Sequence, residues 1–161
     1  IMVRLYKTLV RPHVEYCTAA WSPYYQKDKD LIEKIQHRFT KMIPNISHLS
    51  YEERIEILHL WTLEERRNRA DLIQVFKMYS GASAPGFGDF FEVDSRGRTR
   101  GHSLKLVKHR SSTLVRQMFF SERVVNNWNR LSAETVASTS LEQFKNRLSK
   151  LREAKKGLFR D

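Results

Sequence analysis

Apolar residues recur at helical spacing along most of this chain. Leu5, Leu9 and Val10 form one set and Val14, Cys17, Ala20 and Trp21 a second, and Pro12 between them predicts a kinked helix ending near Ser22-Pro23. Cys17, beside Tyr16 and Ala19, reads as a small buried hydrophobe. Asp28 or Asp30 can cap the next helix, whose expected buried stripe is Leu31, Ile32, Ile35, Phe39 and Met42. That stripe leaves Lys34, His37, Arg38 and Lys41 outward until Pro44 stops the run. Ser50 with Glu53 and Thr62 with Glu65 have capping-box spacing. The first pair opens a short helix through Ile55 and Leu58. The second opens a longer one with Leu72, Ile73, Val75, Phe76 and Tyr79 inward, Arg66, Arg67 and Arg69 near its start, and an end at Ser80-Gly81.

The pattern changes from residue 82 to 95, where Gly, Pro and Ser mark a linker whose Phe87, Phe90 and Phe91 still need apolar surface. Leu104 and Leu106 alternate with Lys105, as in one arm of a short hairpin. Helical spacing then returns. Phe120, Val124, Trp128 and Leu131 form one stripe, and Leu141, Phe144, Leu148 and Leu151 another behind a Ser140/Gln143 capping box, which predicts a helical hairpin. Lys155, Lys156 and Arg160 should fray. The expected fold is therefore mainly α: a bundle of about six helices in two subdomains, with a basic loop or short β-hairpin between them. The boundaries fall at 1–81 for a first helical subdomain, 82–118 for linker and basic segment, and 119–161 for the C-terminal hairpin.

Charge is distributed unevenly over this pattern. Residues 1–94 carry 13 Lys/Arg and 13 Asp/Glu, whereas residues 95–161 carry 16 against 5 and so supply the whole formal charge of +11. Between Ser95 and Ser121 stand Arg96, Arg98, Arg100, Lys105, Lys108, Arg110 and Arg116 without one carboxylate. A segment that cannot neutralise itself calls for a polyanion or for solvent, and a polyanion would be held with a steep dependence on salt. The plain alternative is a solvated loop.

Length and composition allow a real core: 161 residues, 40% of them hydrophobic. No apolar run approaches a membrane span and no signal peptide opens the chain, so an intracellular protein without membrane contact is expected. One cysteine excludes an internal disulfide and a paired-cysteine zinc site. A chain starting at full helical stride with Ile1-Met2 reads as a piece of something longer. Catalytic patterns are missing: there is no nucleophile elbow and no phosphate-cradling glycine loop. Asp28 and Asp30 suit a helix start better than a two-metal site, and the six histidines lack ligand spacing. Trp21, Trp61 and Trp128 could stack on bases, but all sit in apolar stripes or at helix ends, where core packing accounts for them.

Two blocks carry a family resemblance. Leu5-Tyr6-Lys7 through Arg11-Pro12-His13, then Tyr16 and Trp21-Ser22-Pro23, resembles the stretch after the palm in reverse transcriptases of jockey-like LINE non-LTR retrotransposons. Residues Arg98-Thr99-Arg100-Gly101-His102-Ser103-Leu104-Lys105-Leu106, followed by Phe119-Phe120-Ser121-Glu122-Arg123 through Trp128-Asn129-Arg130-Leu131, resemble the C-terminal region of the same reading frames. Ser50-Tyr51-Glu52-Glu53-Arg54 and Phe144-Lys145-Asn146-Arg147-Leu148 extend the likeness over nearly the whole chain.

The resemblance implies a thumb and the post-thumb region of an RNA-directed DNA polymerase that works in the nucleus. The palm's aromatic-x-Asp-Asp motif is absent, so magnesium would belong to the missing upstream palm and this chain, with no cofactor of its own, should be inactive alone. The partners implied are an RNA template, a DNA primer or their hybrid, and the palm itself. Candidate contacts are Arg96, Arg98, Arg100, Lys105, Lys108 and Arg110 for phosphate, His102 for phosphate or sugar, and Lys34, Arg38 and Lys41 as a second row along a hybrid duplex. Two other readings stay open: a basic helical module that binds an acidic protein surface, and a folded remnant of a decayed element.

Overall fold

A computed structural model describes residues 1–84, 86–95, 101–155, 157 and 159. The chain is mainly helical. The first helical stretch runs through α1 (Met2–Leu5), a widened π-type segment at Tyr6–Val10 and α2 (Arg11–Glu15). Arg11 N–H reaches back to the Tyr6 carbonyl in that segment. Pro12, which has no N–H to give, thus comes after a widened turn instead of ending the helix. The helix stops at Glu15, earlier than its apolar spacing predicts, because Tyr16 is extended. Helical phase is lost there. Cys17 lies exposed at a left-handed φ of 49°, its carbonyl accepting from Ala20 and Trp21, and so is not the buried hydrophobe expected.

The next elements are α3 (Gln26–Lys41), a single 3₁₀ turn at Pro44–Ile46, α4 (Tyr51–Ile57) and α5 (Leu63–Tyr79). Ser50 and Thr62 cap α4 and α5 through the capping boxes read from sequence. Helix α3 begins without a side-chain cap, at Tyr25, so neither Asp28 nor Asp30 caps it; Asp28 lies in the first turn, where its charge suits the helix dipole. Beyond the linker come α6 (Leu114–Gln117), α7 (Phe120–Asn129), α8 (Ala133–Val136) and α9 (Leu141–Ala154). Ser140 caps α9, while the Gln143 side chain accepts from Thr139 N–H at 2.8 Å.

The larger core lies where α7 and α9 pack on α5. Leu72, Val75 and Phe76 meet Phe120, Val124, Trp128 and Leu131 from α7 and its end, and Phe144 and Leu148 from α9. Phe76 and Phe144 stack at 4.4 Å. The linker aromatics join as expected, with Phe91 buried against Phe87 and Phe120. The tail joins too, against expectation: Phe159 is buried and stacks on Trp61, its carbonyl accepts from Asn68 at 2.6 Å, and Gly157 N–H reaches Glu65 at 3.3 Å. Lys156 and Arg160, expected to fray, lie outside the described residues.

A second cluster holds Tyr51, Ile55 and Leu60, with Val3, Phe39 and Leu58 packed against it. Here the sequence reading of α3 holds only in part: Phe39 packs on this cluster, stacked on Tyr6 at 4.3 Å, and Ile32 is half-buried, but the rest of the expected stripe faces out. Leu31 and Met42 are 59% and 67% exposed and Ile35 faces solvent as well, while Gln36 and Thr40 are fully buried. Polar satisfaction explains the exchange. Tyr6 Oη donates to Gln36 Oε1 at 2.9 Å, and Gln36 Nε2 donates to Tyr51 Oη at 2.8 Å and to the Trp61 carbonyl at 3.0 Å. Thr40 Oγ1 accepts from Arg54 Nε at 3.1 Å. Buried polar groups so fully bonded cost little and fix one arrangement of four segments.

Candidate nucleic-acid interface

The basic segment is docked along α7. Val93 and Leu106 form an antiparallel bridge, flanked by Asp94 N–H to the Lys105 carbonyl at 2.7 Å and Val107 N–H to the Glu92 carbonyl at 2.8 Å. This isolated bridge is the one β pairing among the described residues, and the strand expected from the Leu104/Leu106 alternation does not form. Leu106 is buried, Lys105 is half-buried, and Lys108 and Arg110 are exposed.

Side chains of α7 grip the backbone of this arm. Trp128 Nε1 donates to the Leu104 carbonyl at 2.8 Å, and Asn129 both accepts from Leu106 N–H at 2.8 Å and donates to the Leu106 carbonyl at 2.9 Å. One turn-pair earlier, Glu122 accepts from His109 N–H at 3.2 Å. Glu122, Val125 and Asn129 are spaced three and four apart and share a helix face. The apolar stripe in the sequence marks the core side of α7; it carries no signal that the polar positions beside it bind an arm. The only sequence cue to Asn129 is a polar side chain with one donor group and one acceptor, which matches the two groups of a single peptide unit.

Gly101 opens the arm in a conformation closed to other residues. Its φ is +128°, and a Cβ there would lie 2.9 Å from Lys105 Cε.

His102 does not face solvent. It is 6% exposed, packs edge-on against Trp128, and places Nε2 3.1 Å from the Trp128 carbonyl, which can only accept. Nε2 therefore carries a proton. Burial holds its pKa below the ordinary histidine value, against the opposing Trp128 carbonyl and with help from Lys105. The expected phosphate contact is corrected: His102 anchors the arm instead. Arg96, Arg98 and Arg100 lie outside the described residues.

Two side chains missing from the expected set belong to this surface. Arg116 Nη2 stands 3.7 Å and His109 Nδ1 3.5 Å from the buried Glu122 carboxylate, and both side chains are more than half exposed. Glu122 so gathers them beside Lys108 and Arg110, for which no ion pair is formed among the described residues. Arg123, next in sequence, turns inward: it pairs with Asp71 through Nε at 2.8 Å and Nη2 at 2.9 Å, and Nη2 also donates to the Thr18 carbonyl at 2.8 Å. This pair fixes α7 to α5 and to the loop after α2.

Lys34, Arg38 and Lys41 are exposed on α3 as expected, but they share their face with Leu31, Ile35 and Met42. Among the described residues the arm thus presents Lys108 and Arg110 on an exposed edge, with Leu114, Val115 and Phe119 exposed around Arg116, and α3 presents a surface that mixes apolar and basic groups. The tryptophans divide likewise. Trp128 is in the core and Trp61 packs on it, while Trp21, expected inside, is 44% exposed and lies over the Arg67 guanidinium at 4.5 Å. Among the described residues no helix is long and apolar enough to cross a membrane. Comparison with family models, with curated proteins and with solved structures finds no match.

Proposed function

We propose that this chain is a non-catalytic nucleic-acid-holding module, with the arm of residues 101–110 and the adjoining Arg116 as its grip. The observation that carries this reading is the docked arm itself. Its backbone is tied to α7 by Trp128, Asn129 and Glu122, so its cations project from a fixed edge. Pre-positioned cations lose little freedom on meeting a phosphate backbone, and contacts of this kind set register without reading bases. Arg110 and Arg116 suit bidentate phosphate contact and Lys108 a point charge.

The thumb of a retrotransposon reverse transcriptase is the role that the sequence resemblance suggests for such a module, with an RNA–DNA primer-template as ligand and an upstream palm as neighbour. A second reading attaches to α3. Exposed Leu31, Ile35 and Met42 beside three cations suit a protein surface with acidic and apolar groups better than a phosphate backbone.

Fluorescence anisotropy of the chain with an RNA–DNA primer-template, titrated in salt, tests the main reading. Binding should weaken steeply with salt, and Lys108→Glu with Arg110→Glu should make the log–log slope shallower by about two, at roughly 0.9 per phosphate on duplex DNA. Absence of binding at low salt would overturn it and leave the protein-partner reading.

A further inference from the structure

Away from the basic arm, a cleft of about 330 Å³ opens between α3, the start of α5 and the segment after α2. Its wall is not basic. Lys29, Arg67 and Arg123 stand there against Asp30, Glu33, Glu52 and Glu64, on a chain whose overall charge is +11. Most of these groups are already engaged. Lys29 pairs with Glu64 at 2.7 Å, Arg123 with Asp71 at 2.8 Å, and Glu33 accepts from Tyr51 Oη and from Leu63 N–H at 2.9 Å.

Arg67 differs from them. It is 4% exposed, and its Nη2 donates to the Val14 carbonyl at 2.6 Å. Its Nη1 has no hydrogen-bond partner among the described residues, and no carboxylate among them forms an ion pair with it. Glu15, Asp71 and Glu33 act on it only from a distance, and loss of solvent holds its pKa below the usual guanidinium range. A buried cation without an anion is costly, and an arginine fork is shaped for a carboxylate. Nη1 is shut from water, and the half-exposed Trp21 ring lies over the guanidinium. Arg67 also lines the cleft, so a ligand there meets Nη1 once a covering side chain shifts.

We propose that this cleft binds a small organic monocarboxylate, whose carboxylate takes Arg67 and whose apolar body rests on Pro23, Tyr24, Ile32, Leu63 and Met118. The volume suits a fragment-sized to small drug-sized ligand. The four wall carboxylates against three cations make each added negative charge costly, so a single charge held by Arg67 is favoured over the two of a phosphate dianion. It is independent of the nucleic-acid reading.

Sodium benzoate is the probe, titrated into the full chain against sodium chloride of equal ionic strength. Nitrogen–proton NMR follows the Arg67 Nε–H and Trp21 indole N–H resonances, assigned with Arg67→Lys and Trp21→Phe. Both should move saturably, with a Kd on the order of 1 mM. Inorganic phosphate and benzamide should move them far less. Because Arg67→Lys could also disturb folding, Ser22→Phe supplies an independent variant: it narrows the cleft from an irregular segment, should keep the wild-type Tm, and should weaken benzoate at least about tenfold. Unsaturable movement, an equal response to phosphate, or unchanged binding in a folded Ser22→Phe protein would overturn the proposal.

Discussion

The α7–α9 pair and the α3 region start from sequence patterns of equal clarity, yet α7 and α9 bury their apolar stripes and α3 buries only the Ile32 and Phe39 side of its own. In α7 and α9 the apolar stripe is the core: Phe120, Val124, Trp128, Phe144 and Leu148 are all buried. In α3 the apolar residues Leu31, Ile35 and Met42 lie outside, and Gln36 and Thr40 lie inside among bonded partners. Helical spacing reports that a stripe exists; which side is buried depends on what the neighbouring segments offer. The partners of α7 offer aromatic rings. The partners of α3 offer Tyr6, Tyr51 and Arg54, whose polar ends need acceptors and donors.

Truncation should separate the two regions sharply. Trp128→Ala removes a fully buried indole and its bond to Leu104, and should cost about 3–5 kcal/mol in chemical denaturation. Gln36→Ala strands Tyr6 Oη and the Trp61 carbonyl and leaves Tyr51 Oη only its bond to Glu33, and should cost about 2–3 kcal/mol in the same assay, more than a glutamine on an outward face could. Ser50→Ala and Thr62→Ala each lose a cap, for about 1 kcal/mol. Leu31→Ser with Met42→Gln should change stability by no more than about 0.5 kcal/mol; a loss of several kcal/mol would mean that α3 buries its apolar stripe after all.

The arm adds a dependence on pH. The pKa of His102 is lower folded than unfolded, so the unfolded chain binds the proton more readily. Stability from this group is therefore full above the unfolded value near 6.5 and is lost as pH falls toward the depressed folded value. His37 is shifted in the same direction by burial, and Glu33, raised by burial, in the opposite sense, so the His102 share is read as the part of the acid-side slope that His102→Gln removes.

The sequence shows the longer helices, the capping boxes at Ser50 and Thr62, the aromatic stripes and the charge imbalance, because each is a local property, whereas the short α6 and α8 carry no periodicity to read. The burial of Gln36, the docking of Phe159 on Trp61 and the inward turn of His102 depend on contacts between residues far apart in the chain, and nothing local announces them. The candidate interface divides in the same way. Lys108 and Arg110 are legible as uncompensated charge; Asn129 and Glu122, which hold the arm that presents them, become legible only when α7 and the arm lie side by side.

The most direct measurement places the two basic surfaces in competition. Salt titrations on an RNA–DNA primer-template would compare Lys108→Glu with Arg110→Glu against Lys34→Glu with Arg38→Glu and Lys41→Glu. A grip on the arm predicts a slope shallower by about two for the arm pair and an unchanged slope for the α3 triple. A flattened slope for α3 with an unaffected arm would contradict it.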